Sequence, residues 1–224
     1  MRTKTTRQAV QSLIALEQAF GVEELPITMP QRRRDRSKHA QFAQLAEEAR
    51  ACTACSLYRT RTQLVFGEGS PHAQLVFVGE APGREEDQQG RPFVGAAGQL
   101  LTKMIEAIGL KREDVYICNV LKDRPPNNRP PQPEEIAACR HWLEAQLEII
   151  QPRIICTLGK YAALTLLGAV EPITQLRGTW TTWHGIALMP TLHPAYLLRN
   201  PEAKKLVWQD LKRVRARLTR ASTR

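Results

Sequence analysis

Four short apolar runs, each separated from the next by a stretch of helical periodicity, leave this chain very few architectures. The runs are residues 74–79 (QLVFVG), 115–120 (VYICNV), 153–158 (RIICTL) and 186–190 (IALMP). They are apolar almost throughout, without the polar alternation of a half-exposed strand, so they are expected to be buried on both faces. Helical patterns fill the intervals at 96–108, 134–150 and 159–168; one more precedes the first run at 39–51, and a last covers 202–219. Strand, helix and strand in succession require crossover connections, which give a parallel sheet with helices on both faces. In such a sheet a ligand is expected at the carboxyl ends of the strands.

The 224 residues, 42% of them hydrophobic, suffice for one substantial core. Every apolar stretch is interrupted well short of the roughly 18 residues of a membrane span, so no membrane association is expected. The net charge of +10 is unevenly placed. Residues 1–38 carry eight Lys or Arg against four acids and residues 204–224 carry eight against one, while the middle holds 16 against 17. Basic ends around a neutral centre suit arms that lie along phosphates and release counterions, although solvated tails share the pattern. Val10, Leu13, Ile14, Leu16 and Phe20 have helical spacing within residues 7–20, and Pro26, Pro30 and the Arg32 to Arg34 run mark a linker after it. The expected organisation is a basic arm over 1–38, a single domain over 39–219 and a basic tail over 220–224. Five cysteines, an odd number scattered through the chain with no apolar signal segment before them, point to a reducing cytoplasmic setting. Glu17, Glu23 and Glu24 argue against an organelle transit peptide.

Three segments follow predicted strands and carry candidate chemistry. The first, Gly79-Glu80-Ala81-Pro82-Gly83-Arg84-Glu85-Glu86-Asp87 with Gly90 to Gly95 behind it, has the glycines and prolines of a tight loop whose amides approach a ligand. It lacks the Gly-Lys-Ser/Thr ending of a phosphate loop and any G-x-G-x-x-G pattern. The second begins at Asn119, where a side-chain amide at a strand end offers both a donor and an acceptor to a base edge. The third, His193-Pro194-Ala195-Tyr196-Leu197-Leu198-Arg199, places an imidazole where it can donate to a developing anion. Leu197 or Leu198 could wedge into the space left by a departing base, although leucines are more often core.

Four runs in order, GEAPG..ED..G.PFVG..G.LL, N.LK.RPP.NR..P.PEE, Leu176-Arg177-Gly178 and HPAYLLRNP, resemble the family-4 uracil-DNA glycosylases, the iron–sulfur branch of their superfamily. The match covers about residues 40–215. It implies an α/β fold, a three-layer α/β/α sandwich with a central four-stranded parallel sheet, and an enzyme that flips uracil out of DNA and hydrolyses its N-glycosidic bond in base excision repair. By position, Phe93 matches the aromatic that stacks on uracil, Asn119 the amide that reads its edge, and His193 the histidine against its carbonyl. Gly79 and Glu80 fall at the pocket loop and Arg199 at the DNA-facing loop. Glu80, Glu86 and Asp87 are the alternatives for positioning the attacking water. The expected partner is uracil-containing DNA, bound by a monomer associated with the nucleoid.

The resemblance also implies a 4Fe-4S cluster held by four cysteines. Cys52, Cys55 and Cys139 match three of them, whereas Asp123 stands at the fourth place. A carboxylate is a harder ligand than a thiolate, so three outcomes are open: Asp123 as fourth ligand, a labile or three-iron cluster, or none. Retention of three thiols favours a cluster, and its role would be to brace DNA-binding loops, since glycosidic hydrolysis needs no electron transfer. Cys118 and Cys156, on predicted strands, read as core residues. Two rivals are set aside. A variant that bonds covalently to the abasic sugar needs a basic insertion absent from residues 175–180, and a non-catalytic DNA-binding or polymerase-associated module would not need Glu80, Phe93, Asn119 and His193 together.

Overall fold

The computed structural model describes residues 31–168 and 171–219. The chain divides into two compact units, Met1–Arg34 and Asp35–Arg224. Of the first, only residues 31–34 are described, and they are helical. The helix expected over 7–20, the start of the expected linker and the tail 220–224 lie outside the described residues. Helix α1 (Gln31–Arg50) begins eight residues before the predicted start at 39. Nothing after Pro30 breaks a helix, and Gln and Arg are good helix formers, so the Arg32 to Arg34 run expected in a linker is helical instead.

Six strands make one sheet: β1 (Glu68–Gly69), β2 (Leu75–Gly79), β3 (Tyr116–Asn119), β4 (Ile154–Leu158), β5 (Thr181–Trp183) and β6 (Ile186–Thr191), in the order β1-β3-β2-β4-β6-β5. The expectation of four strands is therefore corrected to six. The runs read from the sequence are β2, β3, β4 and β6, which pair in parallel, while β1 adds antiparallel to β3 and β5 antiparallel to β6. The edge strands are two and three residues long, too short to leave a periodicity. β5 returns into β6 through His184 and Gly185, both with positive φ (44° and 82°), the backbone of a two-residue hairpin whose twist matches its strands.

The remaining helices are α2 (Arg84–Gln89), α3 (Ala96–Ala107), α4 (Pro133–Ile150), α5 (Lys160–Leu167), α6 (Ile173–Leu176), α7 (Pro194–Arg199) and α8 (Lys204–Thr219). Successive strand residues point to opposite faces, and each face has its own core. On one side Phe77, Ile117, Cys156 and Met189 pack with Leu101 and Ile105 of α3, Leu197 of α7 and Leu211 of α8. On the other, Val78, Tyr116, Cys118 and Leu188 pack with Leu143 and Leu147 of α4, Leu166 of α5 and Phe42 of α1. Each fully buried aliphatic contributes about 1.5–3 kcal/mol, so both faces hold the strand ends rigidly. Cys118 and Cys156 are wholly buried in these cores, as read from their strand positions. Among the described residues, no helix is long and apolar enough to cross a membrane.

Candidate active site

Parallel strands start at one edge of the sheet and finish at the other, so the ends of β2, β3 and β6 lie together. Gly79 and Asn119, the last residues of β2 and β3, are directly paired across the parallel ladder. His193 follows β6 by two residues and is the N-cap of α7. Between these ends lies a cavity of about 440 Å³ whose walls include Glu80, Phe93, Asn119, His193 and Arg199. Three segments far apart in the chain thus meet around a space the size of a nucleobase with its sugar.

The ring of Phe93 forms one wall, 5.6 Å from the His193 ring between centroids and tilted 32° to it. Phe93 has a left-handed backbone, φ 52°, which costs a residue with a Cβ roughly 1–2 kcal/mol. The loop is held in that conformation by Glu86, whose carboxylate accepts hydrogen bonds from the amides of Val94 (2.9 Å), Gly95 (2.9 Å) and Gly83 (3.1 Å). Arg112 adds a bond of 2.5 Å to the Pro92 carbonyl. Behind ring and amide sits Gly79: a Cβ there would lie 2.4 Å from Asn119 Oδ1 and 2.5 Å from Phe93 Cζ. Gly79 therefore does not line the cavity, as had been expected of a substrate-binding position; it leaves room for the two side chains that do.

Asn119 is 1% exposed, and its Oδ1 is buried with no hydrogen-bond partner among the described residues. Such an atom costs about 1–3 kcal/mol when unmatched, and Asn119 is among the residues that line the cavity, so a donor on a bound molecule is the partner it lacks. The imidazole of His193 has a defined tautomer. Its Nδ1 accepts the Ala195 amide at 3.1 Å, which leaves the ring proton on Nε2 as a donor. Burial, and then the charge of Arg199, lower the His193 pKa to about 4, so the ring is neutral near pH 7.

The three acids that sequence could not distinguish have different surroundings. Glu86 is committed to the Phe93 loop, and Asp87 is buried with its oxygens accepting from Thr62 N (2.8 Å) and Thr62 Oγ1 (2.7 Å). Glu80 makes no side-chain hydrogen bond among the described residues, borders the cavity, and has its pKa raised by burial. Of the two leucines, Leu197 is 1% exposed and belongs to the core, a correction to its suggested wedge role, whereas Leu198 is 45% exposed beside Arg199. The Leu176-Arg177-Gly178 run is a brace rather than a cavity wall: Arg177 pairs with buried Asp210, which also accepts from Thr191 Oγ1 at 2.6 Å, locking α8 to the end of β6.

A second, smaller hollow lies on the other side of β3 and is lined by Cys52, Cys55, Asp123 and Cys139, with Lys122 and Trp142. The four positions matched to cluster ligands are thus brought together. Among the described residues no three such groups surround one ion position; a multi-iron group, in which each thiolate binds its own iron, instead needs donors spread around a hollow. Burial raises the pKa of Cys139 to about 12 and that of Cys55 upward, so a cation or cluster is needed to hold them as thiolates. Lys122 in the wall is 1% exposed with no carboxylate partner among the described residues, and burial lowers its pKa; an anionic thiolate cluster would supply a countercharge to its ammonium form. Asp123 is already engaged: Arg61 Nη1 bonds both its oxygens at 3.3 Å, and the same guanidinium bonds the carbonyls of Cys52 (3.3 Å) and Arg50 (2.5 Å). The donor set therefore fits three-thiolate ligation, with the fourth place occupied by an ion pair that ties the Cys52 loop to β3. Sequence gave no sign of Arg61 or Lys122 in this role, since neither lies at a motif position with a recognisable ligand chemistry.

Comparison with known proteins agrees with this geometry. Residues 66–212 match the model of the uracil DNA glycosylase superfamily. A Type-4 uracil-DNA glycosylase of Thermotoga maritima is 50% identical over 176 residues, covering 77% of this chain and 92% of that protein. Those of Sulfurisphaera tokodaii and Saccharolobus solfataricus are 47% and 45% identical over 76% and 78% of this chain, and 82% and 85% of their own lengths.

Proposed function

This chain belongs to the uracil DNA glycosylase superfamily, and from that premise we propose that Phe93, Asn119 and His193 hold a uracil flipped out of DNA while its bond to deoxyribose is hydrolysed, leaving an abasic site for base excision repair. The observation that carries this reading is the buried Asn119 Oδ1 without a partner at the cavity wall. It accepts the ring N–H of uracil, and the same amide's NH₂ donates to the neighbouring carbonyl, a pairing that cytosine, with an amino group and an unprotonated ring nitrogen on that edge, reverses. Phe93 stacks on the ring, and its fixed loop makes the stacking geometry independent of the substrate.

Bond cleavage leaves the electron pair on the base, which departs as an anion while the sugar becomes oxocarbenium-like. The neutral His193 donates through Nε2 to the carbonyl where that charge collects, a contribution of about 10²–10³ in rate. A neutral donor is suited to this, because it loses nothing to solvent protonation at working pH. Glu80 orients a water whose oxygen forms the new bond to C1′ as the N-glycosidic bond breaks, and its carboxylate accepts the proton that the water loses. Flipping costs a few kcal/mol, offset by phosphate contacts of Arg199 and the basic ends of the chain and by exposed Leu198 entering the emptied stack. Cys52, Cys55 and Cys139 would hold an iron–sulfur cluster by three thiolates, with the Arg61–Asp123 ion pair at the fourth place, and its contribution would be structural, crosslinking the Cys52 loop to α4. The basic arm over 1–38, the domain over 39–219 and the tail over 220–224 act in a cytoplasmic monomer. The test is excision of uracil from single-stranded DNA by purified protein: the parent releases uracil, Asn119→Ala loses about 100-fold or more, and equal behaviour of the two would refute the assignment.

A further inference from the structure

We propose that Lys122 is a positioning residue that fixes Asn119 from behind and joins the cysteine hollow to the base-reading end of β3; the inference rests on the reading of Asn119 given above. Lys122 Nζ donates to the Asn119 carbonyl at 2.7 Å and to Gln146 Oε1 at 2.6 Å. Gln146 is itself fixed, its Nε2 donating to Tyr116 Oη at 2.9 Å and to the Phe66 carbonyl at 2.8 Å. The chain of bonds thus runs from α4 through a buried ammonium to the residue whose side chain borders the cavity. The bonds from Lys122 to Asn119 and Gln146, and from Gln146 to Tyr116, are buried, so these groups cannot exchange their partners for water without opening the core.

A lysine is an expensive choice for this place. A fully buried ammonium without a carboxylate is disfavoured by several kcal/mol before compensation, and a neutral side chain would fill the same volume. What the ammonium adds is a strong, charge-assisted pair of bonds in two directions, one to the Asn119 carbonyl and one to α4. The same residue lines the hollow of Cys52, Cys55 and Cys139. The side-chain Oδ1 of Asn119 has no hydrogen-bond partner among the described residues. The position of Asn119 is set by the packing of Gly79 against the side-chain amide and by the Lys122 bond to its backbone carbonyl.

The test separates positioning from general support. Lys122→Met is compared with the parent, with Asn119→Ala and with the double variant in single-turnover excision of uracil from single-stranded DNA. Lys122→Met is expected to slow excision about 10- to 100-fold, and to slow it no further once Asn119 is alanine, because its effect passes through that side chain. A merely structural role gives losses that multiply in the double variant and overturns the proposal, as does an unchanged rate. The Asn119 side-chain amide resonance, identified by its absence in Asn119→Ala, supplies a readout independent of catalysis: it shifts or broadens in Lys122→Met, and an unmoved resonance overturns the proposal even if the parent excises nothing. A parent without excision would by contrast refute the functional reading. Should Lys122→Met not fold, Gln146→Met removes one of the two acceptors and is expected to show the same non-multiplying loss and amide shift in weaker form; its absence in both readouts overturns the proposal.

Discussion

A single methyl group placed behind the cavity tests whether the positions of Phe93 and Asn119 are what the chemistry depends on. In Gly79→Ala the new Cβ would stand 2.4 Å from Asn119 Oδ1 and 2.5 Å from Phe93 Cζ. Ordinary contact begins near 3.4 Å, so amide and ring must each retreat by about 1 Å, and a displacement of that size at reacting groups costs about 100-fold in rate. The backbone at Gly79 is that of an ordinary strand residue, not among those with positive φ, so alanine adds no conformational strain. Overpacking costs about 1–3 kcal/mol of stability, within what a folded domain tolerates. The assay is single-turnover uracil release, with thermal melting on the same sample. The expected result is a cooperatively folded protein with excision slowed about 100-fold, or about 2.7 kcal/mol in the barrier. A folded Gly79→Ala protein excising within threefold of the parent would show that the convergence of these side chains does not govern catalysis.

Other consequences follow from the surroundings of single residues. Burial raises the Glu80 pKa, so the excision rate should fall as pH drops through that raised value, and Glu80→Gln should be slower and lose this acid limb in a pH–rate profile. The same profile should contain no ionisation from His193 above about pH 4, since burial keeps its ring neutral; a limb near pH 6.5 that vanishes in His193→Ala would contradict this. Asp123→Cys supplies a fourth thiolate and frees Arg61, and anaerobically purified protein should retain more iron with stronger visible sulfur-to-iron absorption; identical iron content would argue against the fourth-ligand position. Replacing Arg32, Arg33 and Arg34 by glutamine should weaken DNA binding and flatten its dependence on salt by up to about three counterions, and parallel slopes in a fluorescence titration would refute a phosphate role for that run.

Much of this architecture was visible in the amino-acid order. The strands ending in Gly79, Asn119 and Leu158 are uncharged because both faces are covered, and that covering is what makes a parallel strand recognisable. Edge strands left no such mark: Glu68–Gly69 and Thr181–Trp183 owe their conformation to a neighbour's ladder rather than to their own pattern. The opening of α1 was missed because a polar helix presents no apolar stripe. Within the site, the motif residues Phe93, Asn119 and His193 were identifiable, but Glu80, Glu86 and Asp87 are interchangeable carboxylates until hydrogen bonds assign two of them to backbone and threonine. Leu197 and Leu198 likewise differ only in which side of a short helix they occupy. Lys122 and Arg61 were illegible for a deeper reason: a basic side chain in a loop reads as solvated, and only the fold turns one into a core donor and the other into a clamp.

The direct pairing of Gly79 with Asn119 has a bearing on how such a pocket can change over evolutionary time. Because the pair is set by the sheet's own ladder, the amide proposed to read the base edge is held by the rungs of the scaffold, whereas Phe93 and His193 stand in connecting segments. A one-residue slip of β3 would turn the amide to the far side of the sheet. A new base preference must therefore arise by side-chain replacement on an unchanged ladder, which makes the core of this protein the slowest part of its recognition machinery to be rewritten.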